Sequence, residues 1–502
     1  MLIGSLLLAA TISAQPALDH YEKQEAPRLV PMLTEVIGFR THVNDPDAHA
    51  AQKQWLMNVA KEMGFVSRDS GKITEIELPG PENAPILGLV IHGDVQLADP
   101  EGWTFDPFDG RVADGYVLGR GAADDKGPLI QTLLAMKALK ESGLPRTHTI
   151  RLLVGSEEES SATEMGEYLT THAPPDYSLV LDSEFPVVVG EKAWDGLGLT
   201  TPIAERPGVV KPYRVSSISA GLSPSIVPDR AEVELAWNGE SVNWDPLVAE
   251  LEAAKKKLPE GTRLAFESYG VTFRIVAYGK SAHAGVNIRG GRNALVALAI
   301  ALEGKLPSGG VDDLLTFARI AGKDIHGTGL GITSNDPVWG RYDVNVATVK
   351  LVENDPKQVT LYINLRRTPP RNGAESKKYL EEFVATFNEK QGSALTVDQK
   401  NSYFSDEPLI FDPNAKIVKR LMRVYEHATG EKAKPAISGG GTYAKRLPNA
   451  IAFGMWFPGK PYPGHDVDEK ISIADLHRGA RVLIHALVDI ASGPKIEGAF
   501  AK

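Results

Sequence analysis

Residues 86–94 read "ILGLVIHGD". From Ile86 to Ile91 no side chain is polar, and then a histidine and an aspartate follow. An unbroken apolar run suits a strand buried on both faces, as in the middle of a parallel sheet. Positions two apart on an extended chain share a face, so His92 and Asp94 leave the strand end side by side. Two more stretches repeat this pattern. "HTIRLLVGS" (148–156) runs into Glu157, Glu158 and Glu159, and "YSLVLDSEF" (177–185) carries Asp182. Between them, "GPLIQTLLAMKALKESG" (127–143) places Leu129, Ile130, Leu133, Leu134 and Ala138 on one helical face and stops at a glycine. Strand and helix alternate, as in an α/β fold.

After about Gly190 the texture changes. "AEVELAWNG", "VTFRIVAYG" and "VTLYINLRR" alternate in strand fashion, with helices expected near 245–257 and 291–304. From about Asp406 the α/β texture returns, with helical "AKIVKRLMRVYEHATG", strand-like "NAIAFGMWF" and a last helix in "SIADLHRGARVLIHALVDIAS". The expected architecture is α/β: a mainly parallel sheet with helices on both faces, interrupted by an inserted α+β lid. The boundaries are a signal peptide over 1–17, catalytic domain over 18–190 and 401–502, and lid over 191–400.

The chain has 502 residues and a net charge of −10, which argues against nucleic acid as a partner. It has no cysteine. Disulfides, thiolate metal sites and cysteine nucleophiles are thereby excluded, and any metal must use His, Asp and Glu. The N-terminal "MLIGSLLLAATISAQPALDHYEKQ" has an apolar run ending in small residues, as in a secretory signal peptide, although no basic residue precedes the run. Export to the periplasm or medium is expected if this segment is a leader, and a cytoplasmic location otherwise. No other stretch is long and apolar enough to span a membrane.

Chemistry-bearing residues collect behind the apolar runs: His92 and Asp94, the three glutamates, Asp182, and His465 in "GMWFPGKPYPGHDVDE". Asp124 in "GRGAADDKG" immediately precedes a helix. Taken singly, each is an ordinary loop, cap or solvated residue. Ligands of open α/β sheets gather outside the carboxyl ends of the strands, so these residues can converge. Three successive glutamates with no lysine or arginine in the following dozen residues are either all solvated or held by a bound cation. Two histidines and several carboxylates suit zinc.

The stretches "HGDVQLADPEGWTFDPFDG", "GYVLGRGAADDKGP", "GSEEESS", "LDSEFPVVVGEK", "GKSAHAGV", "GGGTYAKRLPNAIAFG" and "GHDVDEKIS" resemble the di-zinc aminoacylase, carboxypeptidase and dipeptidase family. The resemblance runs from about residue 20 to 490, and "SEFPVVVGEK" is most similar to its bacterial Xaa-His dipeptidase branch. It implies two Zn2+ per chain, replaceable by Mn2+ or Co2+. His92, Asp124 and Asp182 would bind one, and Asp124, Glu159 and His465 the other, with Asp124 bridging and the Asp124–Asp125 bond cis. It implies Glu158 as general base. Alternate residues of an extended segment face opposite sides, so Glu157 is expected to point away, and Asp94 to accept the proton of one His92 nitrogen while the other binds metal. From the lid, His283 in "SAHAG" would stabilise the tetrahedral intermediate. Arg366 would hold a terminal carboxylate, with Arg367 its adjacent competitor. Gly440, Gly441 and Thr442 would offer further donors to the substrate. Where the family commonly has Asn, this chain has Ser225.

The leading expectation is therefore a zinc-dependent dipeptidase acting on small peptides as a monomer, the large lid serving its own chain. An N-acyl-amino-acid deacylase of the same family is the alternative, separated from it only by substrate-end recognition. A non-catalytic peptide-binding relative would be expected to lack ligands or base.

Overall fold

The computed structural model describes residues 12–352 and 355–501. The apolar stretch that suggested a leader lies mostly outside them. A helix, Gln15–His20, begins within the expected leader, and Ala14 and Ala17 are buried in the core. Among the described residues, no helix is long and apolar enough to cross a membrane.

The catalytic domain is built on a six-stranded sheet. Thr149–Gly155, Ile86–His92, Tyr177–Val180 and Ala450–Ala452 are parallel neighbours in that order, and Ile73–Leu78 and Val66–Ser70 extend the first edge antiparallel. The continuous apolar runs are the buried parallel strands. Leu87, Leu89 and Ile91 join Leu152 and Leu179 in one core with helices Ala26–Ile37, Lys126–Glu141 and Ile473–Ala491. The alternate residues Val90, Leu153 and Val180 pack on the opposite face with Met165, Tyr168 and Tyr443. Helices therefore cover both faces, more heavily on one.

All strands of a separate eight-stranded antiparallel sheet fall between residues 193 and 397. Arg230–Trp237 alternates buried and half-buried positions, as expected of a sheet covered on one side. Helices Asp245–Ala254, Ala294–Ala301, Gly310–Ala321 and Gly373–Gln391 pack in its core. The helix at 373–391 starts from a capping box in which Asn372 and Glu375 each satisfy the other's main chain. The two domains meet backbone to backbone at Gly285 and Gly439, where a Cβ on either would strike the other's carbonyl.

Candidate active site

Strands 86–92, 149–155 and 177–180 run the same way, so their carboxyl ends share one edge. His92 pairs in register with Gly155, which brings it beside the glutamate turn. Asp182 follows Val180 on the neighbouring strand, and Asp124 precedes the helix that starts at Lys126. His465 arrives from the loop after Met455–Trp456 with a positive φ of 65°, uncommon for a side chain with a Cβ. The Asp124–Asp125 bond is cis.

Asp124 stands between the histidines. Its Oδ1 is 3.0 Å from His92 Nε2, and its Oδ2 is 3.3 Å from His465 Nε2. Asp182 Oδ2 lies 3.8 Å from His92 Nε2, and Glu159 Oε1 lies 2.8 Å from His465 Nε2. His92 Nδ1 donates to the main-chain carbonyl of Asp94 at 3.0 Å, which turns Nε2 towards the carboxylates. The Asp94 carboxylate is farther, at 3.5 Å, and accepts instead from Glu158 N and Glu159 N at 3.2 and 2.9 Å. Asp94 thus reaches the imidazole chiefly through its main chain and anchors the glutamate turn with its side chain.

That turn corrects one expectation. Residues 158–161 form a turn rather than continuing the strand. Glu157 is directed away by this turn and by pairing, not by strand alternation: it meets Lys72 Nζ at 3.0 Å and accepts from Ser161 Oγ at 2.6 Å. The first glutamate has its cation in a lysine 85 positions earlier. The others do not. Among the described residues, no lysine or arginine forms an ion pair with Asp124, Asp125, Glu158, Glu159 or Asp182. The adjacent Lys126 is buried but donates to the carbonyls of Val36 and Phe39. Burial, and next the Asp125 and Asp124 charges, push the Asp182 carboxyl well above the usual range. Burial does the same to Glu158, aided by Glu159 and Asp94 against the opposing His92. Burial lowers the basicity of His465, but Glu159 and Asp124 more than offset this and raise it to about 10.

These residues fit divalent cations. Ligands about 2.0–2.2 Å from a tetrahedral zinc lie about 3.3–3.6 Å from one another, and the separations above bracket that range. Two donor sets close around points, His92 with Asp124 and Glu159, and His92 with Asp125 and Asp182. Asp125 was not anticipated as a donor. Among the described residues its Oδ1 is buried without a hydrogen-bond partner, and its Oδ2 meets only His92 N at a long 3.4 Å. Two supporting residues also escaped the sequence reading. Gln96 Nε2 donates to Glu159 Oε2 at 3.0 Å. Glu469, fully buried and paired with Arg120 at 2.7 Å, accepts from Ala123 N and Asp124 N. Both lie inside stretches quoted for the resemblance, but no local pattern says what either side chain meets.

The lid contributes His283. Its Nδ1 accepts from Gly285 N and Val286 N at 3.0 and 2.9 Å. The proton is therefore on Nε2. Burial, and next the charges of His465 and Arg366, hold this imidazole well below its usual basicity, so it is neutral. Its ring centre lies 4.4 Å from that of His465 in the same chain. The Ser225 carbonyl is 3.4 Å from His465 Nδ1 and accepts from Ala284 N at 2.8 Å.

Arg366 and Arg367 separate cleanly. Arg367 is fully buried on Asp195, Nε to Oδ2 2.8 Å, and also bonds the carbonyls of Arg371 and Asp406. Among the described residues Arg366 bonds only Asn364, through Nε at 3.0 Å, and it lines a cavity of about 1110 Å³ together with Glu158, His283 and Gly441. Burial brings it down to about 10, still protonated at neutral pH. Thr442 departs from expectation. Its hydroxyl and amide both donate to buried Glu191, at 2.8 and 3.1 Å, and Gly440 N donates to Ser438 Oγ at 3.0 Å. Those donors are engaged within the chain. Gly441 N has no such bond among the described residues.

The sequence model of peptidase family M20/M25/M40 matches residues 88–489. The chain is 30% identical over 440 residues to YtjP of Bacillus subtilis (strain 168), whose name places it provisionally among dipeptidases; the match covers 87% of this chain and 89% of that one. It is 26% identical to the Beta-Ala-Xaa dipeptidase of Lactobacillus delbrueckii subsp. lactis, covering 82% and 83%. Human carnosine dipeptidase 1 superposes with a TM-score of 0.61 over 95% of this chain and 98% of that one at 13% identity, a likeness of fold.

Proposed function

Because the chain belongs to peptidase family M20/M25/M40, we propose that it is a dipeptidase that holds two zinc ions and attacks the peptide bond with water. His92, Asp182 and Asp125 surround one position, Glu159 and His465 the other, with Asp124 between. Divalent cations bound there supply positive charge that polarises an amide carbonyl and eases deprotonation of water. Glu158 takes the proton from the attacking water and gives it to the leaving amine. Its place where the two cavities meet, beside the cation cluster, suits it to both transfers. His283 donates Nε2–H to the carbonyl oxygen as negative charge grows there. Arg366 fixes the C-terminal carboxylate with its free guanidinium edge.

The observation that carries this reading is that Arg366 and His283 of the lid and Glu158 of the catalytic domain line one cavity in one chain. The dipeptidase names of two relatives agree with it. Purified protein offered dipeptides, tripeptides and N-acetyl-amino acids, with zinc, manganese or cobalt, tests it. Preferred cleavage of dipeptides supports the proposal. Cleavage of N-acetyl-amino acids alone would replace it with a deacylase.

A further inference from the structure

Two cavities meet at Glu158. The larger, about 1110 Å³, contains Arg366. The smaller, about 240 Å³, is lined by Asp182, Glu184, Trp456, Lys460 and Tyr462, and both share Glu158, Glu159 and His283. With the C-terminal carboxylate on Arg366 and the scissile amide at Glu158, the N-terminal residue of a substrate enters the smaller chamber. Most charges there are already committed. Asp182, Glu159, Asp124 and His465 belong to the cation-holding cluster. Lys460 Nζ is tied to Asp475, 2.6 and 2.5 Å from its two oxygens.

Glu184 is the exception. Among the described residues its carboxylate has no hydrogen bond or ion pair, and Glu184 lines the smaller chamber. Its main chain is fixed by parallel pairing with Trp456, and the next residue, Phe185, is buried against Phe453 and Phe457. A half-buried carboxylate with no partner in the chain is free to pair with a cation that a bound molecule brings. The cation that an N-terminal residue brings is its own ammonium group. Resting on the dipeptidase reading, we infer that Glu184 recognises the free ammonium of the substrate's first residue and so selects peptides over N-acyl-amino acids.

The test uses zinc-loaded protein, a dipeptide such as Ala-Leu, and its desamino analogue propionyl-leucine. The wild type should favour the dipeptide by about 10–100-fold in kcat/KM, the range for one lost charge-assisted contact. Glu184→Gln should lose most of that preference, through the dipeptide alone, and Glu184→Asp should keep part of it. Equal falls for both substrates, or no fall for either, would overturn the assignment and leave the dipeptidase reading standing. A wild type that cleaves the two equally would overturn it even if Glu184→Gln does not fold. A wild type that cleaves only the propionyl compound would sink the dipeptidase reading and this inference with it.

Discussion

Replacing His283 by alanine isolates the lid's part in the chemistry. The two main-chain donors on Nδ1 force the proton onto Nε2 and aim it at the cluster. The substitution removes that one donor and leaves every residue around the cation positions in place. Loss of a single oxyanion donor costs about 2.7–4 kcal/mol, or about 10²–10³ in kcat. Gly285 N and Val286 N lose their acceptor; Val286 is exposed, so water can replace the ring there, but Gly285 is buried, and its stranded N–H should cost about 1–3 kcal/mol of stability. The assay is kcat and KM on a dipeptide at saturating metal, beside a melting curve. Turnover should collapse with KM nearly kept. Because His283 sits over the cluster of its own chain, mixing His283→Ala with Glu158→Ala protein under subunit exchange should restore nothing, and light scattering should give a monomeric mass. A kcat within a few-fold of wild type would refute the donor role. Recovered activity in the mixture would refute the single-chain site.

Glu158→Ala should lower turnover by about 10²–10⁴-fold while zinc still binds by chelator competition; Glu157→Ala, which removes only the Lys72 and Ser161 contacts, should stay within a few-fold, and the reverse outcome would move the base by one residue. Arg366→Lys should weaken dipeptide turnover or raise KM, and a C-terminally amidated dipeptide should be poor for the wild type; equal hydrolysis of amide and acid would dismiss the carboxylate contact. Arg367→Ala should instead act on stability, by about 3–5 kcal/mol in chemical denaturation, because it strands Asp195 without its buried partner. Without metal, His465 holds its proton up to about pH 10, and a metal must displace that proton. Affinity should therefore rise with pH through the neutral range, by up to about tenfold per pH unit for each proton released. Calorimetry in buffers of different ionisation enthalpy should detect the release; pH-independent affinity would contradict it.

His92, Asp124, Glu159 and Asp182 were legible because each sits close to a local signal, a strand end or a helix start, and His465 because its loop follows a strand-like run and carries a familiar motif. Topology then gathers such ends at one edge. Strands such as 230–237 and 272–278 were legible because half-burial writes alternation into the sequence. What stayed hidden depends on pairing over distance. Lys72 meets Glu157, and Glu469 braces Asp124 from 345 positions away. No local pattern names the partner of either. The reading of Thr442 as a substrate donor failed for the same reason: Glu191, which takes both its donors, lies 251 positions earlier. The helices at 310–321 and 373–391 also went unread, although Asn372 and Glu375 spell out a capping signature ahead of the second.

The contact of Gly285 with Gly439 makes the gap between lid and catalytic domain as narrow as two bare main chains permit. Any side chain at either position is a doorstop. A methyl there leaves Asp124 and its neighbours intact yet keeps the lid from seating, so His283 and Arg366 are withheld together. Alanine, serine and valine at position 439 would then form a graded set of wedges. The fall in turnover along that set measures how far the jaws can stand apart before hydrolysis stops.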